Sequence, residues 1–444
     1  MAAGSDKIQT AEHYLCKLDC GHGSRLLDHR SHASSDIILS LATGASLMQY
    51  IKTYLLLSVL FTVLGCDQKS LAPEEKIRIQ METAQSGDVI QIPEGVFKFR
   101  RSLVMNADGV TIAGAGMNKT ILSFSEQIAG AEGLSVNASK FTIEDLAIED
   151  TIGDALKVNE GKDIVIRRVR TEWTRGPNVK NGAYGIYPVQ ITNLLVEESV
   201  AIAASDAGIY VGQSDNIIVK NNRAEYNVAG IEIENSTNAD VFNNMAKNNT
   251  GGILVFNMPQ IPKTGHSTRV FRNSIIENNT ENFAAEGTAV SGVPKGSGIL
   301  INSNDLVEVF DNEFNDNDTA NIVISSYFSA NFAGQRELAE EFDPYPEGIF
   351  IYDNTFVGGG SEPGRDYLLE LKNAVFGENG QFPDVIWDGM TNPEKPEKKL
   401  ICVQNGGAKV LNIDLANEFA EPRIDDASHN CVLPKLTEVV LSAS

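Results

Sequence analysis

Along residues 219–257, VKNNRAEYNVAGIEIENSTNADVFNNMAKNNTGGILVFN, polar stretches are broken at regular steps by short apolar beats. In Ile231-Glu232-Ile233 and Ile253-Leu254-Val255 the outer two residues share one face and the middle one takes the other, the period of a strand with one buried side. The residue that opens the beat recurs as Leu134, Leu156, Ile186, Ile209, Ile231, Ile253, Ile299 and Ile322, at intervals of 22, 30, 23, 22, 22, 46 and 23. A lap is therefore 22 or 23 residues, and the longer intervals are laps with insertions. A second anchor follows ten residues on at Ile166, Val196, Val219 and Val241, and continues through Val270, Val309 and Ile351. Strands this short cannot hide an apolar face alone, so the laps must stack and share a core. The pattern predicts a solenoid of parallel strands, each lap about 4.8 Å above the last. Gly185, Gly208, Gly230, Gly252 and Gly298 precede the beat, at a corner that needs either positive φ or close backbone approach.

Asn222, Asn244, Asn273, Asn312 and Asn354 share one slot, three residues past the second anchor. Stacked at strand spacing, their amides can donate to one lap and accept from another, forming a structural ladder. The same amides can instead serve as calcium or sugar ligands.

Repeats such as NIIVKNNRAEYNVAGIEIENS resemble the Asn-bearing coils of the right-handed parallel β-helix, or pectate-lyase-like, superfamily, over roughly residues 87–356. SGDVIQIPEGVFKF (86–99) and GVTIAGAGMNKTIL (109–122) resemble its first coils and cap. YGIYPVQ, SDAGIYVGQS and NNTGGILVF are similar to a bacterial group of β-helix repeat lipoproteins. The resemblance implies an all-β parallel β-helix of about ten coils, at residues 87–357. A linker and N-terminal cap (66–86) precede it, and a C-terminal cap region (358–444) follows, where the lap pattern stops and RDYLLELKNAVF has helical spacing.

The chain start alters the picture. Met48 opens a short basic region, and TYLLLSVLFTVLG (53–65) is an apolar run too short to span a bilayer. VLGC (63–66) resembles a lipobox, which implies a lipoprotein signal peptide over 48–65 and lipidation of Cys66. Residues 1–47, with Cys16, Cys20, His22, His29 and His32, are then an upstream extension and no zinc site. An exported bacterial lipoprotein, periplasmic or at the outer membrane and cell surface, touches the membrane through that anchor alone. Cys402 and Cys431 are left as a disulfide or as two thiols; spacing does not decide. The net charge of −23 argues against nucleic acid as a partner.

Insertions in a solenoid mark its working face. Three stand out, at residues 171–185, 257–268 and 277–296, all flanking the glycine-marked strand. Lys157, Tyr187, Tyr210, Glu232 and Leu254, the middle residues of successive beats, should form one outward column between them. A groove with an aromatic floor, including Trp173 and Phe256, suits an extended sugar chain. Arg175, Lys180, Lys263, His266, Arg269 and Lys295 lie in or beside the insertions, which suits an acidic, uronate-type polysaccharide bound by a monomer. The resemblance implies a lyase or C-5 epimerase, with Tyr187, Tyr210 or His266 as base and Arg269 or Lys263 neutralising the substrate carboxylate. A hydrolase using Glu232 and Glu234, outward and two apart on one strand, is the alternative; a non-catalytic carbohydrate-binding surface scaffold is the rival of another class. The sequence identifies no definite cofactor; Ca2+ is the candidate, since DNEFNDND (311–318) offers oxygen ligands for it without the spacing of a known loop.

Overall fold

The computed structural model describes residues 71–329, 338, 342–395 and 401–441. The lipobox, Cys66 and the upstream extension lie outside the described residues. Among the described residues no helix is long and apolar enough to cross a membrane.

A helix, Pro73–Thr83, begins at a proline and turns Ile77 and Met81 onto the first rungs of the core. Beyond it the chain winds into a parallel β-helix of about twelve turns, against the ten expected. In the first sheet the anchors Leu134, Leu156, Ile186, Ile209, Ile231, Ile253, Ile299 and Ile322 stack in register. In the second sheet Ile166, Val196, Val219, Val241, Val270, Val309 and Ile351 do the same. A third sheet of three-residue strands turns Ala201, Ala224, Ala246, Ile275 and Phe314 inward. The three files enclose one continuous apolar core, and each rung contacts the next, as stacking predicts.

The corner glycines serve close approach. A Cβ at Gly230 would lie 2.5 Å from the Gly252 carbonyl oxygen, and one at Gly252 the same distance from that of Gly298. The left-handed corners fall elsewhere, at Asn221, Asn243, Arg272, Asp311 and Asp353 (φ 53–57°), each just before a rung of the asparagine ladder. Asn222 Nδ2 donates to Asn244 Oδ1 and to the Val196 carbonyl, both at 3.0 Å. Asn244, Asn273, Asn312 and Asn354 repeat this, and Asn405 ends the row. A second ladder, Asn227–Asn249–Asn278–Asn317, runs along the next corner. Each bond contributes about 1 kcal/mol net, and each spares a buried amide the larger cost of having no partner. Asn312 and Asn317 are rungs, and Asp311 and Asp316 are left-handed corners, so DNEFNDND has a structural role at two turns of the solenoid.

The C-terminal region carries the solenoid further than the lap pattern shows. After the helix Asp366–Phe376, the strands Val385–Trp387 and Val410–Asn412 extend the first sheet and Ile401–Gln404 extends the second. Their spacing hides them, because the helix and loops interrupt the laps. Arg423–Ile424 pairs antiparallel with the final rung and so covers its open edge. Cys402 and Cys431 are disulfide-bonded, with Cα atoms 4.9 Å apart.

Candidate functional site

The outward column of the first sheet exists. Lys157 pairs with Tyr187, Tyr210 with Glu232, Glu232 with Leu254, and the file continues through Leu300 and Val323. Two residues along, a parallel file runs Val189, Gly212, Glu234 and Phe256. Where the files begin, Tyr184, Tyr187 and Tyr210 form a triangle with ring centroids 4.5, 4.7 and 5.0 Å apart. The Tyr210 ring lies along its own strand above Gly212, where a Cβ would stand 2.5 Å from it. That gap lets the Tyr210 hydroxyl donate to Glu234 Oε1 on the next rung at 2.7 Å. The Lys157 ammonium sits 5.0 Å from the Tyr187 ring centroid and 3.9 Å from Glu132.

Two carboxyls that sequence reasoning missed join this group. Asp154 and Asp206 occupy the corner ahead of the first sheet in their laps. Asp154 Oδ1 accepts the Tyr184 N–H at 3.3 Å, and the Asp206 carbonyl accepts the Ala229 N–H at 2.7 Å. The signal was a repeated Asp-Ala pair at 154–155 and 206–207, just before the glycine-marked strand. Tyr184 was missed because it stands outside the beat.

Burial governs the electrostatics. Desolvation, then the charge of Glu234 and Asp154, pushes the Asp206 carboxyl up to about 8. Desolvation likewise lifts Asp154 to about 6 and Glu232 well above the carboxylate range. Glu232 is 1% exposed, and its Oε2 has no hydrogen-bond partner. Burial raises Glu234 also, against the pull of the Tyr210 hydroxyl. Tyr187 is pushed up to about 12 and Tyr184 and Tyr210 further, by burial and then by the neighbouring carboxyls. At neutral pH Asp206 holds its proton beside an ionised Asp154, and burial shifts Glu232 and Glu234 toward their protonated forms as well. The tyrosines here are donors and poor bases.

The basic residues do not converge on the column. His266 and Arg269 belong to the strand His266–Phe271 of the second sheet. His266 is exposed, with Nδ1 2.9 Å from Ser267 Oγ, and Arg269 grips Asp240 through two bonds of 2.7 and 2.6 Å. Lys263 donates to the Ser214 carbonyl at 2.6 Å, and burial lowers its pKa. Lys295 pairs with Glu281 at 2.6 Å. Arg175 and Lys180 lie exposed on their insertion. Trp173 is no part of a groove floor, since it is buried in the solenoid core and donates to the Thr151 carbonyl at 2.8 Å. Phe256 is fully buried and closed to a sugar. An acidic trio, Asp305, Asp343 and Glu347, brings its oxygens within 4.8 Å of one another, and the Lys395 ammonium pairs with Asp343 and Glu347 there.

Phe256 is closed because the second and third insertions fold over the file. Met258, Ile261, Phe283, Ala284, Val290 and Val293 pack with Leu254, Phe256 and Leu300 as one apolar cluster outside the main core. The insertions flank the strip as expected, but they roof its later half.

The family model described as right handed beta helix region matches residues 93–261 and 132–336. No curated protein sequence matches the chain. Among solved structures it is similar to the A-module of the mannuronan C-5 epimerase AlgE4 of Azotobacter vinelandii, at 15% identity over 71% of this chain and 87% of that one, with a TM-score of 0.46. It is similar to an alginate lyase of a Paenibacillus species, at 13% identity over 64% and 92% of the two chains, TM-score 0.32. It is also similar to the catalytic domain of an α-1,3-glucanase, at 14% identity over 66% and 65%, TM-score 0.38. These likenesses concern the path of the backbone and leave the chemistry of the site to its own residues.

Proposed function

This chain belongs to the right-handed β-helix family, and we propose that it is an exported, lipid-anchored protein that binds a polysaccharide at the tyrosine–carboxyl site and hydrolyses it by acid–base catalysis. The observation that carries the reading is the gathering of Asp154, Asp206, Glu232 and Glu234 beside three tyrosines, with carboxyl pKa values spread apart. Two carboxyls set apart by their surroundings are the requirement of glycoside hydrolysis. Asp206, protonated at neutral pH, gives its proton to the glycosidic oxygen as the bond to the sugar breaks. Asp154, ionised and partly open to solvent, takes a proton from the attacking water. Tyr184 and Tyr187 offer flat apolar area for the sugar. Burial lifts the Glu232 carboxyl behind them, and the charge of Glu234 helps to keep the Asp206 pKa high.

A second reading, elimination or C-5 epimerisation of a uronate chain, is favoured by Lys157, a cation at the mouth of the site that suits a substrate carboxylate. It is weakened by its base, because all three tyrosines are pushed upward and His266 stands on another sheet.

Product analysis on a panel of neutral and uronate polysaccharides tests these readings. Hydrolysis gives new reducing ends without a double bond; unsaturated ends or inverted uronates favour the second reading. Asp206→Asn and Asp154→Asn should each slow hydrolysis by about 10²–10⁴-fold. Full activity in both variants removes the assignment, and binding without any product favours the scaffold. Membrane anchoring is checked by incorporation of labelled palmitate, which Cys66→Ala should abolish.

A further inference from the structure

The file that carries the site is open at one end and shut at the other. Lys157 and Tyr187 are half-buried; Tyr210 is 5% exposed, Glu232 1% and Leu254 0%. The companion file is buried along its length, from Val189 at 9% and Glu234 at 8% to Phe256 at 0%. On the other side the file runs back through Ser135, paired with Lys157 and half-buried, outside the apolar cluster that the insertions form. The wall begins one rung past the carboxyls.

That wall is built and pinned. Met258 is held at both ends of its peptide by the Asn235 side chain, whose Oδ1 accepts its N–H at 2.8 Å and whose Nδ2 donates to its carbonyl at 3.1 Å. Asn282 Nδ2 donates to the Val290 and Val293 carbonyls, both at 2.9 Å, and so closes the third insertion on itself. Arg365, ahead of the helix Asp366–Phe376, donates to the Ser291 and Val293 carbonyls from the far side. Val290 and Val293, beneath, are 1% and 2% exposed. Moving this cover aside would expose an apolar cluster and break these bonds together, so it is a fixed end and no swinging lid.

A polymer lying along the file can follow it past Ser135 and Lys157 but cannot continue beyond Glu232. We infer that the site takes the end of a sugar chain, with the terminal unit against Tyr210 and the wall, and that the protein trims chains from that end. The inference rests on the function proposed above, and it adds the mode of attack and the class of substrate, a linear glycan with a free terminus. From Lys157 to Glu232 is three rungs, about 14 Å at strand spacing, so recognition covers only the last few sugars.

The test follows products and polymer length together, by light scattering on size-separated samples of a glycan the protein cleaves. Trimming from an end releases short products from the outset while the remaining chains shorten slowly. The same glycan with both ends chemically capped should react at least about tenfold slower. An early collapse into long fragments, or an equal rate on the capped polymer, overturns end recognition while leaving hydrolysis standing. If no glycan is cleaved, the proposed hydrolysis fails, and binding of the panel then decides the inference. Linear oligosaccharides bound as tightly as the polymer, with capped polymer bound at least tenfold more weakly, support it. Equal affinity for capped and uncapped polymer overturns it.

Discussion

Two outer faces of the same solenoid bury carboxyls in different company. On the second sheet Asp240 and Glu308 are each 2% exposed, and Arg269 stands in register between them. Arg269 holds Asp240 through two bonds, and the C-terminal segment crosses the file to complete the set. Its Val439 N–H donates to Asp240 Oδ2 and its Leu436 N–H to Glu308 Oε1, each at 3.1 Å. On the first sheet Asp206, Glu232 and Glu234 lie equally deep with tyrosines for company, and burial lifts all three carboxyls. Buried charge matched by charge is scaffolding. Carboxyls buried without a cation keep their protons, and a store of protons beside an aromatic surface is a place for chemistry.

The contrast can be broken by mutation. Arg269→Met leaves Asp240 buried with a lone backbone donor and should cost about 3–5 kcal/mol in urea unfolding. Glu232→Gln, replacing a group already neutral, should change stability by less than about 1 kcal/mol under the same conditions. A reversed order of these two costs would dissolve the distinction. Next in size, Asn249→Ala takes the acceptor from the Asn227 N–H and side-chain amide, and should cost about 1–3 kcal/mol. An effect near zero would mean that water replaces the ladder.

Asp206 sharpens the comparison through pH. Its folded pKa of about 8 lies above that of the unfolded chain, so the native state binds the extra proton. The stability it contributes is complete below about pH 4 and is lost as pH rises through about 8, at up to about 1.4 kcal/mol per unit. Asp206→Asn should flatten that slope, read from unfolding midpoints across the range. A slope unchanged in the variant assigns the proton elsewhere. Smallest is Tyr210→Phe, which removes one hydrogen bond at about 1 kcal/mol and should raise the Glu234 pKa further, because the hydroxyl was lowering it. A lowered Glu234 pKa in an NMR titration would contradict this.

The solenoid was legible because its cause is periodic. Ile209, Ile231 and Ile253 announce their stacking by recurring, and Asn222 and Asn244 announce a ladder in the same way. Alternation placed Tyr210 and Glu232 on the outside correctly. What it could not tell was whether outside meant open, since covering depends on contacts between distant loops. The apolar residues in the insertions, Met258, Ile261, Phe283, Val290 and Val293, were the available sign of a roof. Proximity in sequence misled most for His266 and Arg269. They follow an insertion beside the first sheet, yet the chain has already turned the corner, and Asp240 claims the guanidinium.

The account stands on protons held at one spot. Carbon-detected NMR of protein labelled at its Asp and Glu side-chain carboxyls reads them directly, through the titration of each resonance from pH 4 to 9. Asp206 should stay protonated at pH 7 and titrate near 8, with Glu232 titrating well above the ordinary carboxylate range. Asp206 and Glu232 both ionised by pH 5 would contradict the account.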